Sequence, residues 1–151
     1  MNVLDTPTKV NGGAVRIVAL FTVVIGIGAA WSGSTWLAAL LAVDFGLRAL
    51  ISPRYSPLAR VARLVQPYSP FRGTPIFFAP KRFAARIGLV LSAAGALSMG
   101  LGAGTLGAVV LGVLGFFALL EGAFGFCVGC KIYGLLIRRG IVSGENCPDC
   151  S

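Results

Sequence analysis

The sequence contains no histidine. That excludes imidazole as a general base, a proton shuttle or a metal ligand, the roles it commonly fills near neutral pH. Acids are scarce as well: 5 Asp and Glu stand against 13 Lys and Arg, and charged residues make up only 12% of the 151 residues. A soluble domain carries roughly twice that share. Long polar stretches are missing too, since 56% of the residues are hydrophobic. A net charge of +8 taken alone points to nucleic acid, but a nucleic-acid binder spreads its cations over a soluble face. Here they cluster between long apolar runs, the pattern of positive-inside topology. We therefore expect no nucleic-acid partner, and a lipid bilayer with anionic headgroups instead. No A-x-A site follows the first apolar run and a second run comes almost at once, so no cleavable leader is expected.

Four apolar runs are present, at 14–31, 36–51, 83–101 and 106–126. Each is close to or above the lower limit of about 17 residues for a spanning helix, and none alternates as a barrel strand does. The turns Ser32 to Thr35 and Gly100 to Thr105 carry no charge, and Trp31 and Trp36 flank the first as interfacial aromatics do. Nearly all Lys and Arg fall in the tail 1–13, the connection 52–82 and the segment after 126. The expected fold is an all-α membrane protein of one domain, 14–126. It is a four-span helical bundle with both termini cytoplasmic, a loosely held tail over 1–13 and a four-cysteine cytoplasmic segment over 127–151. The connection 52–82 holds six of the eight prolines and no acid. Within it Ser56-Pro57 reads as a helix N-cap and first helical position. Leu58, Val61, Ala62 and Val65 follow on one face, so a short amphipathic helix is expected in the headgroup layer. Pro67, Pro70, Pro75 and Pro80 prevent a longer one. In the fourth run Ala108, Gly112, Gly115, Ala118 and Gly122 form a stripe on which a second helix can approach closely.

Besides Arg16 at the entry of the first run, four charged residues fall inside the apolar runs. Asp44 and Arg48 are four apart with the acid first, the order that favours a pair on one helix face. Arg86 and Glu121 lie in the third and fourth runs. With the topology above all four sit in the cytoplasmic half, and their formal charges cancel. Intramembrane charges pair with one another because desolvation is costly. The expected polar cluster of Asp44, Arg48, Arg86 and Glu121 either fixes helix register or forms a proton or substrate site beneath the cysteines.

All four cysteines stand in two C-x2-C pairs, Cys127/Cys130 and Cys147/Cys150, with sixteen residues between the pairs. Zinc sites use such pairs at about 15–20 residues, because two tight turns supply four thiolates to one tetrahedral ion. Zinc is the only cofactor the residues name. The competing reading is thiol redox chemistry. Gly125 and Gly129 break the fourth helix, a new one starts at Lys131, and Cys130 lies near its N-terminus beside a cation, which favours a reactive thiolate. Glu121 then serves as a proton partner. The bland reading is four buried cysteines without metal or chemistry.

Three stretches carry a resemblance: Ser52-Pro-Arg-Tyr-Ser-Pro57, Ala79-Pro-Lys-Arg-Phe-Ala84 and Gly125-Phe-Cys-Val-Gly-Cys-Lys-Ile-Tyr133, closed by Cys147-x-x-Cys150. Together they resemble an uncharacterised bacterial integral membrane family, domain of unknown function 4395, over nearly the whole chain. The resemblance implies a small multi-pass protein of the bacterial inner membrane, with thioredoxin-like or rhodanese-like proteins as partners. We expect thiol, disulfide or sulfane-sulfur handling at Cys127, Cys130, Cys147 and Cys150. The alternatives are a structural zinc knuckle on the same four residues, or a transporter of small sulfur species lined by Asp44, Arg48, Arg86 and Glu121. Four short spans would require a homo-oligomer for transport.

Overall fold

The computed structural model describes residues 9–143. In chain order, strand β1 (Lys9–Asn11) leads into helix α1 (Gly12–Ser32), and α2 (Thr35–Gly46) continues through a π-helical turn, Leu47–Ile51. The connection holds α3 (Pro57–Val65) and strand β2 (Pro75–Phe77). Helices α4 (Phe78–Gly100), α5 (Gly104–Phe124) and α6 (Val128–Arg138) complete the described chain. The α1, α2, α4 and α5 helices form a closed ring. α1 packs on α2 and α5, and α4 packs on the other faces of the same two helices. Leu41 and Leu111 are fully buried at the centre. Three of these helices, α1, α4 and α5, are long and apolar enough to cross a membrane, so the chain is a membrane protein of the all-α class. Val24, Val90 and Leu97 on the outer faces are about two-thirds exposed. An apolar exterior of this kind is stable against acyl chains and a liability in water.

Polar side chains within the helices are satisfied locally. Thr22 Oγ1 donates to the Val18 carbonyl at 3.0 Å, and Ser92 Oγ to that of Gly88 at 2.7 Å, the back-bonding that hydroxyls adopt in apolar helices. The up-down order of the ring brings the start of α1, the π-helical turn, the start of α4 and the end of α5 to one end. Every charged residue among the described ones lies at or near that end, and the turns at 33–34 and 101–103 carry none.

Several expectations are corrected. The tail is not loose throughout: β1 pairs antiparallel with β2, Lys9 opposite Phe77 and Asn11 opposite Pro75. The Asn11 side chain caps α1 by accepting from the Ala14 amide at 3.2 Å and donates to Gln66 Oε1 at 3.3 Å. This ties the N-terminal segment to the central connection. α4 begins at Phe78 rather than Phe83 and takes Pro80 into its first turn, where proline costs no helical hydrogen bond. α3 has the predicted cap and start, with Ser56 Oγ accepting from the Ala59 amide at 3.0 Å. Its buried face is narrower than expected. Ala59 and Ala62 pack on Ala14, Ile17 and Val18 of α1, whereas Val61 and Leu64 stay exposed. Of the small-residue stripe on α5, Gly115, Ala118 and Gly122 are buried but Gly112 faces outward. Gly122 backs on Leu20 so closely that a Cβ would lie 2.8 Å from its side chain.

Asp44 is fully buried at the end of α2. Its Oδ1 accepts from Ser56 Oγ at 2.5 Å and from the Leu58 amide at 3.2 Å. Its Oδ2 faces Arg48 Nη2 at 2.6 Å, off the axis of a directed hydrogen bond, so the attraction is that of charges. One carboxylate thus anchors α3 by its N-terminus, where negative charge is favoured, and neutralises a buried arginine. Asp44→Asn should destabilise the detergent-solubilised protein by about 3–5 kcal/mol in thermal or chemical unfolding, because Arg48 is left uncompensated. Adding Arg48→Gln should recover part of that loss. Ser56→Ala should cost at least about 1 kcal/mol. Additive single effects in the double variant would mean that Asp44 and Arg48 do not act as a pair.

Candidate functional site

The site forms where α5 ends and α6 begins. Gly125 adopts φ 71°, a left-handed conformation that ends α5. Its amide donates to the Glu121 carbonyl at 3.0 Å, and that of Phe126 to Leu120 at 3.1 Å. The reversal lets Cys127 cap the next helix: Cys127 Sγ accepts from the Cys130 amide at 3.2 Å. α6 therefore starts at Val128, one turn before Lys131, because the thioether-sized sulfur takes the place a hydroxyl or carboxylate usually holds at an N-cap. Cys127 and Cys130 form a disulfide with Cα atoms 5.2 Å apart, inside the usual range for such bonds. Both are recessed, at 8% and 5% exposure. α6 lies on the first half of α4. Gly129 faces Ala84 with room for no side chain, a Cβ there lying 2.6 Å from the Ala84 methyl, and the Phe83 and Tyr133 rings stand 5.6 Å apart.

Beside the disulfide is a cavity of about 680 Å³. Cys127, Cys130, Arg16, Arg72, Lys81, Lys131 and Glu121 line it together with Phe71, Phe77 and Phe126. Arg16 is held in place: Nε donates to the Gly122 carbonyl at 3.1 Å, Nη2 to that of Ala123 at 2.5 Å, and the guanidinium lies 4.3 Å from the centre of the Phe71 ring. A cation against the last carbonyls of α5 also offsets the negative end of that helix. Lys131 sits 5.8 Å from the Phe126 ring centre. A second cavity, about 320 Å³, lies among α1, α3 and the π-helical turn, lined by Lys9, Thr22, Phe45, Arg48, Arg63 and their neighbours. Val15, Lys81 and Glu121 belong to both linings. Lys81 and Glu121 form an ion pair there.

Of the expected polar cluster, Arg48 and Glu121 line the smaller cavity together, and Arg86 lies apart. Asp44 and Arg48 pair as predicted, and Arg48 also lies 4.3 Å from the Phe45 ring centre. Glu121 pairs with Lys81 rather than with an intramembrane arginine, and Arg86 is exposed on α4, outside both cavities. The sequence reading missed Lys81 because it assigned that residue to the connection. Lys81 is the fourth residue of α4 and Glu121 the fourth from the end of α5. In neighbouring antiparallel helices those positions stand level, a signal available once the start of α4 is known. Cys147 and Cys150 lie outside the described residues. Among the described ones no group of three or more Cys, Asp or Glu stands close enough to hold a metal ion, so zinc would require the second cysteine pair.

A family model described as Domain of unknown function (DUF4395) matches residues 10–138. No curated protein and no solved structure matches the chain.

The packing of α6 on α4 carries a test. Gly129→Val adds a side chain where no space exists, and overpacking of that kind is relieved by displacement of the packed elements. The variant should lift α6 from Ala84 and open the recessed pair. Its disulfide should be reduced several-fold faster by dithiothreitol than that of the parent protein, read by mass after alkylation. An unchanged rate would mean that the helix contact does not shield the sulfurs.

Proposed function

The chain belongs to the family of domain of unknown function 4395, and from that premise we propose that it carries out thiol–disulfide exchange at Cys127 and Cys130, at one face of a bilayer. The observation that carries this reading is the disulfide at the N-terminus of α6, with Cys127 Sγ receiving the Cys130 amide and both cysteines in the lining of a cavity. A thiolate formed at Cys127 is favoured by that amide and by the positive end of the helix. In the reducing direction a partner thiolate attacks Cys127 Sγ, the bond to Cys130 breaks, and Cys130 leaves as a thiolate that takes up a proton. A second partner thiolate then attacks the partner sulfur of the mixed disulfide and releases Cys127. Two electrons pass from the partner to the pair, and the partner leaves as a disulfide. Glu121 lines the same cavity, and we assign it the role of proton partner to the exchanging thiols. The second pair, Cys147 and Cys150, is assigned the resolving or relay role.

The bilayer arrangement we propose has four spans, with α2 and its π-helical turn as the second. Both termini and the cysteines face the cytoplasm of a bacterial inner membrane. Support comes from the charge distribution: the charged end of the bundle holds α3, α6 and both cavities, and the opposite turns are uncharged, as the positive-inside rule requires. In that compartment thiols are kept reduced, so a C-x-x-C disulfide is there a transient, exchanging one.

Two measurements test these readings. Cysteines introduced at Ser34 and Thr105 of a variant lacking the four native ones should react with an impermeant thiol reagent outside intact cells, and one at Ser69 should not. Labelling at Ser69 alone would reverse the orientation. After reduction of the purified protein, an alkylation time course read by mass spectrometry should show Cys127 modified ahead of Cys130. If instead all four cysteines resist together until a chelator releases about one zinc per chain, the zinc knuckle replaces the exchange site.

A further inference from the structure

We infer that the thiol exchanged at this site is a small molecule carrying negative charge; the inference rests on the exchange reading of Cys127–Cys130. The first argument is access. The two sulfurs belong to residues 8% and 5% exposed at the wall of a cavity of about 680 Å³. Pockets of about 300–1,000 Å³ are the size that holds small organic molecules. A thiol of that kind enters the cavity whole, whereas a cysteine on the surface of a folded protein would have to be presented on a protruding segment. The second argument is charge. Among the described residues, four cations line the cavity, Arg16, Arg72, Lys81 and Lys131, against one acid, Glu121. Glu121 is already paired with Lys81, so three positive charges line the space with no described lining acid left to offset them. The third is preorganisation. Two carbonyls and the Phe71 ring hold the Arg16 guanidinium in place before any ligand arrives, and Lys131 rests over Phe126. An anion gains from charges already fixed in place, since their ordering costs nothing on binding.

The chemistry fits the same field. The attacking thiol reacts as an anion, and the leaving group is an anion. A second negative group on the substrate, a carboxylate or sulfonate, would be held by the cations while its sulfur reaches Cys127. Two equivalents balance the step. The first thiolate forms a mixed disulfide and expels one cysteine thiolate. The second attacks the substrate sulfur, leaves as the symmetrical disulfide and frees the other cysteine. Two thiols lose two electrons and two protons, and the Cys127–Cys130 pair gains them.

The test compares three thiols of one size on the full-length oxidised protein in detergent: 2-mercaptoethanesulfonate, 2-mercaptoethanol and cysteamine, respectively anionic, neutral and cationic. Each rate is divided by that thiol's rate on an unhindered peptide disulfide, which removes intrinsic differences in nucleophilicity. At low salt the normalised rate of the anion should exceed that of the neutral thiol by roughly tenfold or more, and the cation should fall below both. The preference should shrink sharply in about 0.5 M salt, where the Debye length is only a few ångströms. Arg72 and Lys131 are both exposed, so Arg72→Glu with Lys131→Glu leaves the fold intact and should abolish or invert the order. Equal normalised rates for the three thiols would overturn the inference and leave the exchange reading standing. Reduction by a dithiol protein but by none of the small thiols would also overturn it, assigning the partner to a protein. A pair that neither small thiols nor a dithiol protein reduces would overturn the exchange reading itself.

Discussion

One buried carboxylate holds the charged end of this protein together. Asp44 projects from the end of α2 and gathers Ser56, the Leu58 amide and Arg48 around its two oxygens. In a low-dielectric interior an unpaired carboxylate would be prohibitive, so all of these partners are required together. Their geometry fixes where α3 starts. From there Ala59 and Ala62 settle on α1, and Gln66 reaches both Asn11 and the Phe71 carbonyl. The connection that follows supplies Phe71 and Arg72 to the wall of the larger cavity. A contact within the membrane bundle thus sets the shape of a site some residues away, by fixing the entry of one short helix.

The same end of the bundle concentrates positive charge. Thirteen Lys and Arg are distributed over a chain with only five acids, and both acids among the described residues are occupied, Asp44 by Arg48 and Glu121 by Lys81. Several of the remaining cations are held by carbonyls and rings instead. Arg82 donates to the Ala49 carbonyl at 2.9 Å, within the π-helical turn, and Arg16 to the last carbonyls of α5. Such partners orient a guanidinium without neutralising it. The result is an excess of cations over acids among the described residues at that end and in the linings of both cavities.

The cysteine pair owes its position to two backbone features. Gly125 turns the chain at the end of α5, and Gly129 lets α6 lie flat on Ala84. Between them Cys127 becomes a cap and Cys130 the first-turn residue that donates to it. The disulfide and the start of α6 are therefore consequences of one tight reversal rather than independent features.

What the sequence by itself determined was whatever depends on local composition and spacing. The apolar runs, the uncharged turns, the Ser56-Pro57 cap, the i, i+4 pairing of Asp44 with Arg48 and the closeness of Cys127 to Cys130 are all short-range. Local rules suffice for them because desolvation and helix geometry act within a turn or two. The tertiary structure alone decided the rest. Lys81 became the partner of Glu121 across forty residues because α4 starts earlier than its prolines implied. Arg86 was left outside because helix rotation, set by Gly88 and Ala85 packing inward, turned it to the surface. Lys9 to Asn11 became a strand because Pro75 to Phe77, distant in sequence, offered an edge. Arg16 came to the cysteine cavity from α1 and Arg72 from within the connection. These are long-range pairings, and their physical reason is common to all: in the apolar bundle each charged or polar group is stable only beside a partner, and which partner it meets depends on how whole helices pack.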